Sequence, residues 1–173
     1  VTTVVMGNCG VGFAPVRPTD HNLLIELMEG VEDIPGVALN EGLSWEWESF
    51  PDYLDYLSKR QFDMDIGAQL PHAALRVYVM GQRGADREPA TAEDVVEMRR
   101  LTEQAIRAGA LGFTSSRTLN HRSLRGEPTP TLQAEYDELV GMASALRSSG
   151  RGVMEMISDF DDLDEEFDLL ESM

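Results

Sequence analysis

Short apolar runs, each followed by glycine-rich or polar residues, recur along the chain at Val1 to Met6, Met64 to Leu70, Ala110 to Thr114 and Gly152 to Ile157. They lack polar alternation and are rich in aliphatic and β-branched side chains, the pattern of strands buried on both faces. Segments of 3.6-residue period lie between them. Leu23, Leu24, Leu27 and Met28 form one stripe, with Asp20 expected as its cap and Gly30 as its end. Phe50, Tyr53, Leu54 and Leu57 form another. Thr91 and Asp94 have capping-box spacing ahead of Val95, Met98, Leu101, Ala105 and Ile106, with Gly109 as the stop. Thr131 is expected to open a further helix through Leu132, Tyr136, Leu139, Val140, Ala143 and Leu146 to Gly150.

Strands of this kind alternating with amphipathic helices predict βαβ units and a parallel sheet, an α/β fold. About four units fit the length, whereas a closed eight-unit barrel takes about 250 residues. The expected architecture over 1–173 is one domain forming part of a (β/α)8 TIM barrel, with an open doubly wound sheet as the alternative. An insertion at about 31–60 separates the first two strands and carries Trp45, Trp47 and Phe50, whose alternation suits a short strand or hairpin, or a cover over a site. The segment at about 159–173 is an acidic helical end. Val1 stands inside a strand pattern with no turn before it, and the last residues lack a helix stop. An internal piece of a longer protein is expected.

Charge narrows the partners. Thirty-one acidic residues against fourteen basic ones give a net charge of −17, which repels phosphate backbones and anionic lipid. Neither nucleic acid nor membrane is an expected partner, since the chain has no basic patch with aromatic neighbours and no apolar run long enough to span a bilayer. One cysteine excludes an internal disulfide, and no signal segment precedes the first strand, so a cytoplasmic setting is expected.

The first strand runs into Gly7-Asn8-Cys9-Gly10-Val11-Gly12, which places a thiol at the carboxyl end of a strand. Ligands bind at that end in α/β folds. The glycine order is not that of a dinucleotide loop, and Pro15 and Pro18 keep a helix from starting directly behind it. Cys9 then has three readings: metal ligand, nucleophile, or small buried hydrophobe. His72 is expected to end a strand on the same face and to bind substrate or support the groups that do, with plain packing as the alternative. His121 lies in the loop from Arg117 to Pro130, expected to arch over that face and bind substrate. Arg117 could grip a substrate carboxylate with its guanidinium fork, whereas Ser115 and Ser116 read as strand-end hydroxyls. His21 follows a helix cap and is expected in solvent without a role.

The segment Val1 to Pro15 resembles the second barrel strand of the N-acyl-D-amino-acid deacylases, the D-aminoacylase branch of the amidohydrolase superfamily. Pro71-His72-Ala73-Ala74-Leu75-Arg76, Val79-Met80-Gly81, Gly109-Ala110-Leu111-Gly112-Phe113-Thr114-Ser115-Ser116 and Glu127-Pro128-Thr129-Pro130 continue the resemblance in order. It implies strands two to five of the barrel and a zinc centre at the carboxyl face. The implied reaction cleaves the C–N amide bond of a small N-acyl amino acid through a zinc-activated water. Carried over, Cys9 is the zinc ligand, while a His-x-His motif would precede Val1 and a further histidine and aspartate would follow Met173. Where the family carries a fifth-strand histidine, this chain reads Gly152-Val153-Met154-Glu155-Met156-Ile157-Ser158-Asp159, where the Glu155 carboxylate could replace it as a ligand or stand as a surface or supporting group.

Two other readings stand beside this one. Cys9 could be a nucleophile with His72 as its base, or the piece could be a catalytically inactive assembly module. Unpaired edges at the first and last strands predict a homo-oligomer.

Overall fold

The computed structural model describes residues 1–173. Its strands are β1 (Thr3–Met6), β2 (Asp65–Ala68), β3 (Leu70–Pro71), β4 (Gly112–Arg117) and β5 (Val153–Ser158). Its helices are α1 (His21–Glu32), α2 (Gly36–Gly42), α3 (Phe50–Ser58), α4 (His72–Met80), α5 (Gln82–Ala85), α6 (Ala92–Ala108), α7 (Tyr136–Ser149) and α8 (Leu163–Ser172). All strand pairing is parallel, in a β1-β2 pair and a β3-β4-β5 sheet. The expected run Met64 to Leu70 is split because it changes neighbour at Gln69. The Gln69 amide donates to the Met6 carbonyl at 2.9 Å, while Leu70 and Pro71 register with Phe113 and Thr114. Leu111 also donates to the Ala68 carbonyl at 2.9 Å, so the β2–β3 run bonds β1 on one side and the segment of β4 on the other, and β4 in turn pairs with β5.

The register sorts the strand faces. Phe113 packs into the main apolar core with Leu70, Leu75, Met98, Ile106 and Met142, so the odd positions of β4 face the helices. Thr114 registers with Glu155 and Ser116 with Ile157, on the opposite face. Helix α6 forms as its sequence requires: Thr91 Oγ1 accepts from the Asp94 amide, and the Asp94 carboxylate accepts from the Thr91 amide. Ser49 and Asp52 build the same reciprocal cap on α3.

Several local expectations are corrected. Helix α1 runs through Gly30 to Glu32, and Asp20 makes no side-chain cap. Gly30 is a point of close approach, since a Cβ there would overlap the backbone of Arg122 to Leu124. Thr131 does not open a helix. Its buried hydroxyl donates to the Ser116 carbonyl at 2.7 Å, and α7 starts after Glu135. The insertion contains α2 and α3 rather than a hairpin; Trp45 sits at φ 54° in the link between them, and Trp47 Nε1 donates to the Phe13 carbonyl at 2.8 Å. His21 is partly covered, its ring stacked on Trp45 at 3.9 Å and 8°. The acidic end does fold as a helix, with Asp162 accepting from the Glu165 amide.

Candidate functional site

The Gly7 to Gly10 turn leaves the carboxyl end of β1 and is closed by the Gly10 amide on the Gly7 carbonyl at 3.3 Å. Gly10 sits at φ +78°, and a Cβ there would lie 2.7 Å from the Ser115 carbonyl carbon. Only glycine meets both the left-handed backbone and the close approach. Two further contacts grip the turn. Thr114 Oγ1 donates to the Gly7 carbonyl, and the Ala73 amide donates to the Gly10 carbonyl at 3.1 Å. The turn is therefore seated on β4 and tied to the first turn of α4.

Cys9 lies within this seat, 9 % exposed, among Val11, Leu27 and Ala73. Its Sγ donates to Glu32 Oε1 at 3.5 Å. Burial pushes the thiol above its ordinary pKa, and the neighbouring Glu32 carboxylate adds to the effect. That is the electrostatics of a protonated thiol rather than an activated nucleophile. No group of three or more His, Cys, Asp or Glu side chains is arranged to hold an ion. These residues by themselves do not form a closed metal site, although Cys9 is a donor of suitable chemistry for zinc.

His72 does not end a strand. Pro71 closes β3 and His72 is the first residue of α4, because proline supplies no amide for continued pairing. The ring is fully buried. His72 Nδ1 lies 2.9 Å from Ser115 Oγ and Nε2 lies 2.7 Å from Glu138 Oε1. The carboxylate can only accept, so Nε2 carries the proton and Ser115 donates to Nδ1 in the neutral ring. Glu138 Oε2 pairs with Arg76, whose other terminal nitrogen donates to the Glu88 carbonyl. Burial pushes the Glu138 carboxyl up, but the bonds from His72 and Arg76 outweigh it and hold the group below its ordinary range.

Serine, histidine and glutamate in this order have the wiring of a hydrolytic triad, yet Ser115 and His72 are 0 % exposed. A substrate carbonyl has no route to Ser115. The network is a buried cluster joining β4, α4 and α7, in which both His72 nitrogens and both Glu138 oxygens have partners and only Arg76 Nε has none. It also removes the thiol-hydrolase reading, since both ring nitrogens of His72 are taken and the Cys9 thiol bonds to Glu32 instead.

Arg117 shares the helix-facing side of β4 with Phe113 and Ser115. Its Nε donates to Glu166 Oε1 on α8 at 2.9 Å, and its Nη1 donates to the Ala134 carbonyl at 2.8 Å. The guanidinium fork is thus occupied inside the chain. His121 is half-buried, with Nδ1 2.8 Å from Ser116 Oγ. Ser116 adjoins Ser115 in the floor beneath Gly10, so His121 hangs close to the Cys9 turn. Glu155 lies on the face opposite the helices and accepts from Gln69 Nε2 at 2.8 Å rather than joining Cys9 and Glu32.

Glu138, Arg76 and Glu32 were not singled out by sequence. One signal was present. His72 and Arg76 stand four apart in an otherwise apolar helix, hence on one face, and polar groups so placed need a buried partner. Nothing in the sequence nominates Glu138 over its neighbour Asp137 in the same helical turn.

The whole chain, residues 1–173, matches the model of the amidohydrolase family, and the chain belongs to that family. Within it, the relatives place the chain in the D-aminoacylase branch. It is 29% identical over 150 residues to a D-aminoacylase of Alcaligenes xylosoxydans xylosoxydans, covering 87% of this chain and 26% of that protein. Against an N-acyl-D-aspartate deacylase of the same organism it is 26% identical over 147 residues, covering 85% of this chain and 25% of the other. A crystal structure of D-aminoacylase superposes with a TM-score of 0.63 at 26% identity, over 99% of this chain and 31% of that one. The N-acyl-D-glutamate deacylase of Bordetella bronchiseptica, solved with zinc and a phosphonate inhibitor, gives 0.62 at 25% identity, over 90% of this chain and 28% of its own. The chain thus spans about a quarter of the length of the curated relatives it matches. No helix is long and apolar enough to cross a membrane.

Proposed function

We propose that these residues form strands two to five of a β/α barrel in a metal-dependent hydrolase that cleaves the amide bond of N-acyl-D-amino acids. The observation that carries the reading is the Cys9 turn: a thiol seated at the carboxyl end of β1 by contacts from β4 and α4, in a chain of the amidohydrolase family. Parallel strands hydrogen-bonded in chain order fit consecutive barrel positions.

In this proposal Cys9 is the zinc ligand contributed by these residues, and the remaining donors come from elsewhere in the protein. Glu155 is held by Gln69 and is not a ligand. His121 is the substrate contact, since its ring is only half-buried and bonds the hydroxyl of Ser116, whose backbone Gly10 approaches. His72 and Arg117 are withdrawn from substrate binding by their internal partners. Metal content of the protein carrying the complete barrel, purified as wild type and as Cys9→Ser, tests the assignment. A hydroxyl is a poorer zinc ligand than a thiolate, so the variant should lose most of its zinc and its hydrolysis of N-acyl-D-amino acids. Equal zinc in both proteins removes Cys9 from the centre.

A further inference from the structure

The buried network around His72 does none of the chemistry assigned to Cys9, yet it is built from the immediate neighbours of the two groups that grip the backbone of the Cys9 turn. Thr114, whose hydroxyl binds the Gly7 carbonyl, precedes Ser115 in β4. Ala73, whose amide binds the Gly10 carbonyl, follows His72 in α4. Ser115 and Ser116 supply the backbone against which Gly10 is pressed. The imidazole of His72 ties these elements together through Ser115 Oγ at 2.9 Å, and Glu138 Oε1 fixes the other side of the ring at 2.7 Å. Arg76 closes the network from the next turn of α4 by pairing with Glu138 and donating to the Glu88 carbonyl.

We propose that His72 and Glu138 are positioning residues for Cys9: their hydrogen-bonded chain from β4 through α4 to α7 fixes the two supports of the Cys9 turn and so sets where the thiol sits. This rests on Cys9 being the working group of the site, and adds what holds it there. The geometry makes the effect local. A ring with one nitrogen on β4 and the other on a carboxylate of α7 cannot rotate without breaking a buried bond, and a buried donor left unpaired is costly. Loss of the network leaves the strand and helix in place by their apolar packing but lets the first turn of α4 shift against β4. The Cys9 turn then loses its fixed seat.

Thiol labelling tests this on the chain as it stands. The sequence has one cysteine, so alkylation by iodoacetamide without denaturant reports Cys9 alone. The wild-type thiol, buried and hydrogen-bonded, should react slowly. His72→Ala and Glu138→Ala should each raise the rate by about tenfold or more, as local opening becomes easier. Glu138→Gln keeps an acceptor for His72 Nε2 and should restore most of the protection. Met98→Ala, in the core on α6, lowers global stability without touching the network, and should leave the rate within about twofold of wild type. If the two alanine variants fail to fold, Ser115→Ala breaks only the Nδ1 link and should still raise the rate severalfold. An unchanged rate in Ser115→Ala and in whichever alanine variant folds overturns the proposal. So does an equal increase in Met98→Ala at matched stability. Zinc plays no part in the measurement, so the ligand assignment and the positioning role can fail separately.

Discussion

Glu138→Ala takes away the acceptor that Arg76 and His72 share. The side chains involved are almost completely buried, at 0 % for Arg76 and His72 and 1 % for Glu138. Truncation leaves an arginine cation in the interior with one remaining partner, the Glu88 carbonyl, and Arg76 Nε already has none. Breaking a buried charge pair from one side costs about 3–5 kcal/mol, against a total domain stability of about 5–15 kcal/mol. With a urea slope of about 2 kcal/mol/M, the midpoint should fall by roughly 2 M. Urea titration followed by circular dichroism measures it. Glu138→Gln, which keeps the shape and an acceptor, should lose less, and Arg76→Met with Glu138→Leu should recover much of the loss because neither charge is then stranded. Acid dependence gives a second reading. The Glu138 carboxyl is held below its ordinary range, so its contribution is full above the unfolded value of about 4.3 and is lost as pH falls through the lower folded value. Wild-type stability should therefore fall more steeply below that point than stability of Glu138→Gln. A loss under about 1 kcal/mol in Glu138→Ala would mean that water reaches the cluster, and would refute the reasoning.

Arg117→Met should release α8 from the carboxyl end of β4, so limited proteolysis should cut the 159–173 segment faster while the rest of the chain stays protected; unchanged cleavage would show that Leu169 packing alone holds the helix. The His21 ring is favoured in its neutral form, chiefly by burial and against the pull of Asp20, so protonation should come below the ordinary histidine range. Its contribution to stability is full above about 6.5 and falls as pH drops toward the lower folded value. Tryptophan emission should change through that window in wild type and stay flat in His21→Leu. Val5 and Val153 stay exposed on β1 and β5, the outer strands, so the isolated chain should self-associate, more strongly at high salt, where its net charge of −17 is screened. Light scattering showing a monomer at all salt concentrations would count against that association.

Sequence by itself determined the elements that rest on local rules. The parallel α/β order follows from apolar runs that have no polar face, and α6 was legible from Thr91 to Gly109 because a capping box and a positive-φ glycine are encoded at fixed offsets. The glycine turn around Cys9 was equally legible, as was its place at the end of a strand, and the ordered motifs carried the family. Decisions that depend on distant partners were not. Thr131 has the chemistry of a cap but spends its hydroxyl on Ser116, and Gly30 has the look of a stop but makes room for another segment. The same limit governs the site. His72, the first residue of the helix behind β3, and Arg117, the last residue of β4, are polar groups where a sequence pattern assigns substrate contact, yet each meets a carboxylate far along the chain, Glu138 and Glu166. Whether a polar side chain at such an edge faces a ligand or a helix depends on strand register and on which acidic residue of a later helix faces back. Those are set only when the helices pack, because a buried charge takes whatever partner the tertiary structure brings within hydrogen-bonding distance.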